Sequence, residues 1–433
     1  MPYEPRDNPS KRIAVIGGGI SGMGAAHYLA DRHNIVIFED EARLGGHART
    51  VLAGKNGDQP VDTGFIVFNN ANYPKLTKLF DELGVPIADS DMSFGASIDG
   101  GRIEYGLQSL RSVAAQPVNL LRPGYLRMMR DVLHYNKHGL EVANDPGITI
   151  GEFLERLGTG DWFREYYLLP LSGAIWSTPT QKILDFPAEA LVRFFKNHAL
   201  MGITGQHQWY TVEGGSIEYV RRLNQSLFRR GVEIRLGAPV QGVRRTGLGV
   251  DVRAEGAEWE AFDEVIFATH SDQALALLSD ANGVERSALS AVRYQPNKAV
   301  LHSDASQMPN HKVCWSAWNY TEMKGQNRDR IGLTYWMNKL QPIPKSDPLF
   351  VTLNATSPID ESLIYDEATF MHPVYDMPAL AAQETLRAIN GTNRTWFCGA
   401  WMKNGFHEDG IASAADVADA MIAEETAAAI AAE

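Results

Sequence analysis

The most constraining stretch of this chain is an apolar run, Ile13, Ala14, Val15 and Ile16, that passes directly into Gly17, Gly18, Gly19, Ile20, Ser21 and Gly22. A helical pattern over residues 23–30 follows. A short apolar run bounded by a turn signal reads as a buried parallel strand, so the order is strand, glycine turn, helix. That context gives a G-x-G-x-x-G its meaning. Gly17 makes the tight turn, Gly19 lets the backbone approach a pyrophosphate, and Gly22 lets the helix pack on the strand. The helix N-terminus offers free N–H groups and a positive dipole end to phosphate oxygens. A second apolar run, Ile35, Val36, Ile37 and Phe38, ends in Glu39 and Asp40. Glu39 stands close to the roughly 20-residue interval at which a carboxylate holds the hydroxyls of a ribose. These residues read as a dinucleotide site, the alternative being a glycine-rich turn in an ordinary α/β domain.

Arg43, Leu44, Gly45, Gly46, His47, Ala48, Arg49 and Thr50 follow the acid. This segment resembles the R-x-G-G-R-x-x-[ST] motif of the flavin-containing amine oxidase and phytoene desaturase superfamily. The resemblance implies FAD: the paired glycines pass close to its diphosphate, and a basic side chain helps neutralise it. His47 stands where that family usually has Arg or Lys, with Arg43 and Arg49 nearby. Val61, Asp62, Thr63, Gly64, Phe65 and Ile66 come next, and the resemblance places Thr63, Gly64 and Phe65 near the flavin.

With 433 residues the chain is long enough for two or three domains. A net charge of −12 argues against a general nucleic-acid binder. Two cysteines, Cys314 and Cys398, make neither a disulfide framework nor a zinc site, and both read as buried thiols; no metal is expected. Residues 1–12 carry no apolar signal core, and no apolar run is long enough to span a bilayer. The expectation is a cytoplasmic protein, at most peripheral on the inner face of the membrane.

Residues 73–83 read as a helix capped by Gly84. From 85 to 206 the pattern turns to helices rich in aromatics. In residues 123–137, Tyr125, Met128, Met129, Val132 and Tyr135 fall on one helical face, and Arg127, Arg130, Asp131, His134 and Lys137 on the other. The reading is either an interfacial helix touching anionic lipid or a surface helix packed on its own core. Residues 161–176 and 191–201 either form a core or line a tunnel for an apolar substrate. A second glycine turn at Gly214 and Gly215 precedes a helix over 217–229, with strands at 232–236, around Val240, and at 250–252 and 264–269. By the resemblance Val240 sits by the adenine. His270, Ser271 and Asp272 cannot converge as a triad from adjacent positions and read as a turn before a helix at 274–278. Strands of an antiparallel sheet are expected at 298–302, 315–320 and 333–338. One face of that sheet would roof the flavin pocket.

Towards the end, residues 395–401 and 405–411 precede an alanine-rich helix. They resemble the terminal FAD segment of the superfamily, which implies cofactor contacts from Gly399, Ala400, Asp409, Gly410 and Ile411. The expected fold class is α/β: a Rossmann-type FAD-binding domain (1–84, 207–289 and 390–433) interleaved with an amine-oxidase-like substrate domain (85–206 and 290–389) of antiparallel sheet plus helices.

Residues 300–302, 315–320, 335–338 and 405–410 resemble bacterial flavoproteins associated with cyclopropane, methyl-branched and furan fatty acids. The resemblance implies desaturation or double-bond rearrangement on an acyl chain, free or in phospholipid. His407, beside the terminal FAD segment, is the first candidate for proton transfer, since histidine titrates near neutral pH. Glu408 is the second; Tyr335 and Asn338 are candidates for orienting the substrate. A flavin amine oxidase and a non-catalytic flavin-containing lipid-binding or assembly protein remain as alternatives.

Overall fold

The run Ile13 to Ile16 becomes the centre of a five-stranded parallel sheet. In the computed structural model, which describes residues 10–145, 147–176, 183–197, 201, 207–325 and 332–432, the strand Arg12–Ile16 has Asn34–Phe38 on one side and Glu264–Phe267 on the other. Glu233–Arg235 and Thr395–Phe397 complete the edges. Strands covered on both faces need apolar residues at every position, and Ile13 to Ile16 are all buried. The helix Ile20–Leu29 crosses one face and packs against the terminal helix His407–Ala432. That packing is close: Gly24 brings its backbone against Ile411, and a side chain at Gly410 would press on Ile20 and Ser21. Both helix N-termini are thereby brought to the same place.

Both segments assigned to the second lobe give strands to one seven-stranded sheet. Its order is Ile364–Val374, Arg293–His302, Phe350–Leu353, Leu333–Trp336, Trp318–Thr321, Phe94–Ile98, Ile103–Gly106. All pairs are antiparallel except Trp318–Thr321 with Phe94–Ile98. The expectation of helices from residue 85 onward is therefore corrected: three strands come first, and Ile87–Ser90 pairs with Trp209–Val212. Residue 315–320 is also not one strand. The Asn319 side chain accepts from the Ser316 N–H (2.9 Å) and donates to the Thr334 carbonyl (3.1 Å). Side-chain bonds of this kind compete with the ladder, and pairing starts only at Trp318. The strand at 333–338 ends at Trp336, where the chain turns into the short helix Met337–Leu340.

Several helices follow the sequence pattern closely. Pro74–Leu83 starts with proline and ends at Gly84, whose φ of 61° is left-handed. Ile217–Arg229 buries Tyr219, Val220, Leu223 and Leu227 at helical spacing. The helix after His270 begins three residues earlier than its apolar pattern, at Ser271. Pro123–Val142 buries Tyr125, Met128 and Tyr135, so its aromatic face belongs to the core. Asp131, assigned by periodicity to the polar face, is buried too, paired with Arg130 (3.0 Å) and accepting from the Gly160 N–H (2.9 Å). The 161–176 segment is helical with a π turn, Arg164–Leu168, and Phe163, Tyr167 and Leu168 enter the core. Residues 1–9, 198–200 and 202–206 of the sequence assignments lie outside the described residues. Cys314 and Cys398 are both buried, and burial pushes their thiols up to about 12. Among the described residues no helix is long and apolar enough to cross a membrane.

Candidate functional site

A cavity of about 1090 Å³ opens at the C-terminal ends of the parallel strands and extends under the seven-stranded sheet. Ligands in open α/β sheets bind at this end of the strands. Gly17, Gly18, Gly19, Ile20, Ser21, Glu39, Asp40, Arg43, Gly45, Gly46 and Val240 line the nucleotide end. The two glycine segments lie side by side: the Gly45 N–H donates to the Gly18 carbonyl (2.9 Å), and Gly19 forms a bridge with Gly45. Gly17 has φ of 107°, with Ala268 against it, and a Cβ at Gly22 would collide with the Gly17 carbonyl. Gly22 accordingly does not line the cavity; it sets helix against turn. Gly19 differs, since a Cβ there would meet only the Gly46 Cα, at 3.9 Å. No side chain caps the helix that starts after Gly19, so its first N–H groups point into an open cradle. That cradle, with Glu39 at the end of the next strand, fits the diphosphate and ribose of FAD.

Glu39 accepts from the Gly18 N–H (2.6 Å) and the Glu41 N–H (2.9 Å). Burial nevertheless raises its carboxyl to about 7, with Asp40 adding to the rise. The two arginines beside the second glycine pair are both engaged. Arg43 donates to the Gly46 carbonyl (3.0 Å) and pairs with Glu41 (2.9 Å). Arg49 grips Asp366 with two bonds, at 2.5 and 3.0 Å, tying the glycine loop to the edge strand of the seven-stranded sheet.

Thr63, Gly64 and Phe65 line the middle of the cavity. A Cβ on Gly64 would strike the His47 carbonyl, which explains the glycine. Asp62 anchors this segment. Wholly buried, it accepts from the Ser216 N–H (2.9 Å), the Ser216 hydroxyl (2.8 Å), the Thr50 hydroxyl (2.6 Å) and the Gln341 amide (3.0 Å). Burial raises its carboxyl to about 6 even so.

His407 opens the terminal helix and lines the cavity. Its ring stacks on Phe65 (3.9 Å between centroids, 10° between planes), and Nε2 lies 2.6 Å from the Tyr219 hydroxyl. The premise that it titrates near neutral pH is corrected, because burial, with His47 nearby, pushes it down to about 3. It is a neutral imidazole at working pH. Glu408, the second candidate, points away from the cavity: its carboxylate accepts the Lys75 and Leu76 N–H groups (2.9 Å each) and caps the helix Pro74–Leu83. Tyr335 lines the cavity, edge-on to Trp318 at 4.9 Å. Asn338 does not, for its side chain bonds the Pro344 and Asp347 carbonyls and the Leu349 N–H (2.8 Å each), closing a loop. Of the terminal segment, Gly399 and Ala400 face the cavity, whereas Asp409 accepts from the Phe406 N–H (2.9 Å) and Gly410 and Ile411 pack on the first helix.

Two cavity histidines are not among the sequence candidates, where His270 reads only as part of a turn. His270 follows the strand Glu264–Phe267 at its C-terminal end, a position that signals a ligand neighbourhood. His372 comes from the long strand Ile364–Val374 and had no local signal. Their rings each lie 5.9 Å from that of His47. Burial, with a neighbouring histidine, lowers His47 and His270 to about 4 and His372 to about 3. The unfolded chain binds protons at these sites from about pH 6.5 downward, the folded chain only near pH 3–4. Stability is therefore full above pH 6.5 and lost as pH falls. The expected result is a cofactor-free protein whose Tm at pH 5 lies at least about 5 °C below that at pH 7.5; a flat Tm over that range would contradict the burial of the histidines.

Beyond His407 the cavity turns apolar, walled by Met92, Ile175, Phe194, Trp209, Trp318 and Leu353. Among the described residues its lining carboxylates are Glu39, Asp40 and Glu41, all at the nucleotide end.

Comparison with known proteins places these features in context. Residues 20–323 match the family described as flavin containing amine oxidoreductase. A 15-cis-phytoene desaturase of Narcissus pseudonarcissus is 27% identical over 210 residues, 44% of this chain and 36% of that protein. The chain spans about a third or less of the length of the curated relatives it matches first. A CLA-producing fatty acid isomerase from P. acnes shares the fold, with TM-score 0.67 and 15% identity over 96% of this chain and 99% of that one. A triple mutant of putrescine oxidase does so with TM-score 0.70, at 15% identity and the same coverage.

Proposed function

The chain belongs to the flavin containing amine oxidoreductase family, with FAD as its cofactor, and from that premise we propose that it is an FAD-dependent oxidoreductase acting on an apolar acyl chain. The reaction is desaturation or double-bond rearrangement of a methyl-branched fatty acyl group, free or in phospholipid. One observation carries this reading: the far end of the cavity is aromatic and aliphatic, and no carboxylate among the described residues lines it. A cationic amine would lose its hydration there without a counter-charge, whereas an alkyl chain gains from the same walls. A fatty acid isomerase of the same fold takes a substrate of this class.

Bound FAD supplies the hydride acceptor. The protein's own residues position and shield. Trp318, Tyr335 and Phe194 hold the acyl chain and exclude water, and Phe65 fixes the His407 ring by stacking. The hydrogen bond between the Tyr219 hydroxyl and Nε2 (2.6 Å) fixes the neutral ring where it can hold or pass a proton.

The test is anaerobic absorbance of the FAD-loaded protein mixed with methyl-branched phospholipid or free fatty acid. Bleaching of the flavin band with a product lighter by two hydrogens marks a desaturase; an equal-mass product without net bleaching marks an isomerase. Bleaching by amines and not by lipids would overturn the reading in favour of an amine oxidase. Binding of lipid with no flavin cycling would leave a non-catalytic lipid-binding protein.

A further inference from the structure

The helix Pro123–Val142 hides the face that periodicity marked as apolar, yet leaves a different apolar row in the open. Leu126, Arg130, Leu133 and Lys137 are spaced four, three and four residues apart and form one stripe on the outer side. Leu126 is 50% and Leu133 56% exposed. The elements just before it add more. Leu121, at the end of the turn Pro117–Leu121, is 82% exposed, and Leu110, at the start of Leu110–Val113, is 88% exposed. These positions are held in place: the Tyr125 hydroxyl donates to the Val113 carbonyl (2.7 Å), and Arg122 donates to the Asn119 side chain (2.9 Å). Leucines so exposed on fixed backbone, within one stretch of two dozen residues, are more than the scatter expected on a surface.

Charge on the same stretch is mostly positive. Between residues 102 and 137 there are six cations, Arg102, Arg111, Arg122, Arg127, Arg130 and Lys137, and two acids, Glu104 and Asp131, a balance of 6 − 2 = +4 in a chain of −12. Both acids are buried; Asp131 pairs with Arg127 (3.6 Å) and Arg130 (3.0 Å), and Arg102 pairs with Asp99 (3.0 Å), which leaves exposed Arg111 and Lys137 as cations with no acidic partner among the described residues. A protein interface concentrates its apolar area in a core depleted of charge. Here single leucines stand out between arginines, the pattern of a helix lying in a lipid headgroup layer.

We propose that this shelf, Leu110 to Leu133, docks on a membrane surface that contains anionic lipid. The leucines enter the boundary between headgroups and acyl chains, and Arg111 and Lys137 meet lipid phosphates. The test is co-sedimentation of the FAD-loaded protein with phosphatidylglycerol–phosphatidylcholine vesicles and with phosphatidylcholine alone, at low and high salt. Binding is expected with the anionic vesicles, falling as salt rises. Leu110→Ser with Leu121→Ser lowers it at least about tenfold, and Arg111→Gln with Lys137→Gln about 30-fold at low salt. All four side chains are at the surface, and retained yellow colour and Tm confirm that the variants fold. Absence of binding to anionic vesicles at low salt, or leucine variants that bind like the parent, would overturn the proposal. So would a solution dimer that the leucine substitutions split, which would give the shelf to a second copy. Neither readout uses turnover, so the outcome is independent of the substrate assignment.

Discussion

Gly19→Val is expected to fold and to purify colourless. A Cβ at this position meets nothing nearer than the Gly46 Cα at 3.9 Å, and the backbone is at φ −75°, which any residue adopts. The added methyl groups go instead into the space between the two glycine segments, where the diphosphate approaches the first N–H groups of the helix Ile20–Leu29. FAD affinity should fall at least about 100-fold, since the close backbone approach is the purpose of this glycine. Gly22→Ala makes the contrast. Its Cβ would meet the Gly17 carbonyl at less than contact distance, so the cost falls on packing of helix against strand, and Tm drops whether or not FAD is added. Flavin content by visible absorbance and Tm by circular dichroism separate the two. A yellow, fully loaded Gly19→Val protein would mean that the cofactor phosphates lie elsewhere.

His407→Ala should keep its FAD and lose roughly 100-fold in turnover, the cost of removing a group that positions the reacting centre. The alanine leaves the terminal helix and its contacts with the helix Ile20–Leu29 intact, because those run through Gly410 and Ile411. What disappears is the neutral imidazole between Phe65 and Tyr219. Tyr219→Phe removes only the hydroxyl and should have a smaller effect of the same sign. Since burial holds His407 near 3, its protonation produces no limb in the pH–rate profile around 6.5. Full turnover in a flavin-replete His407→Ala protein would remove the residue from the chemistry.

What could be read from sequence was what neighbours in sequence decide. Strand, glycine turn, helix and acid over residues 12–39 are all local, as are Pro74 and Gly84 at the two ends of one helix. Periodicity assigned two sides to the helix at 123 but could not tell that Tyr125 and Met128 pack on the core while Leu126 and Leu133 remain outside. Residue type misled for Asn338 and Glu408, polar side chains near the expected site whose bonds go to backbone groups of a loop and a helix N-terminus. His372 and the Arg49–Asp366 pair depend on contacts across more than 300 positions, and no local pattern encodes them; only the place of His270 after a strand end was a local sign.

The order of strands in the parallel sheet has a consequence for the timing of synthesis. The glycine turn lies at residues 17–22, but its sheet is closed only by Glu233–Arg235, Glu264–Phe267 and Thr395–Phe397, and its helix packs on Ile217–Arg229 and, most extensively, on His407–Ala432. A nascent chain on the ribosome therefore carries its earliest-made cofactor motif unfinished until residue 395 and beyond have emerged. Such long-range closure makes folding slow and leaves apolar strand faces open meanwhile.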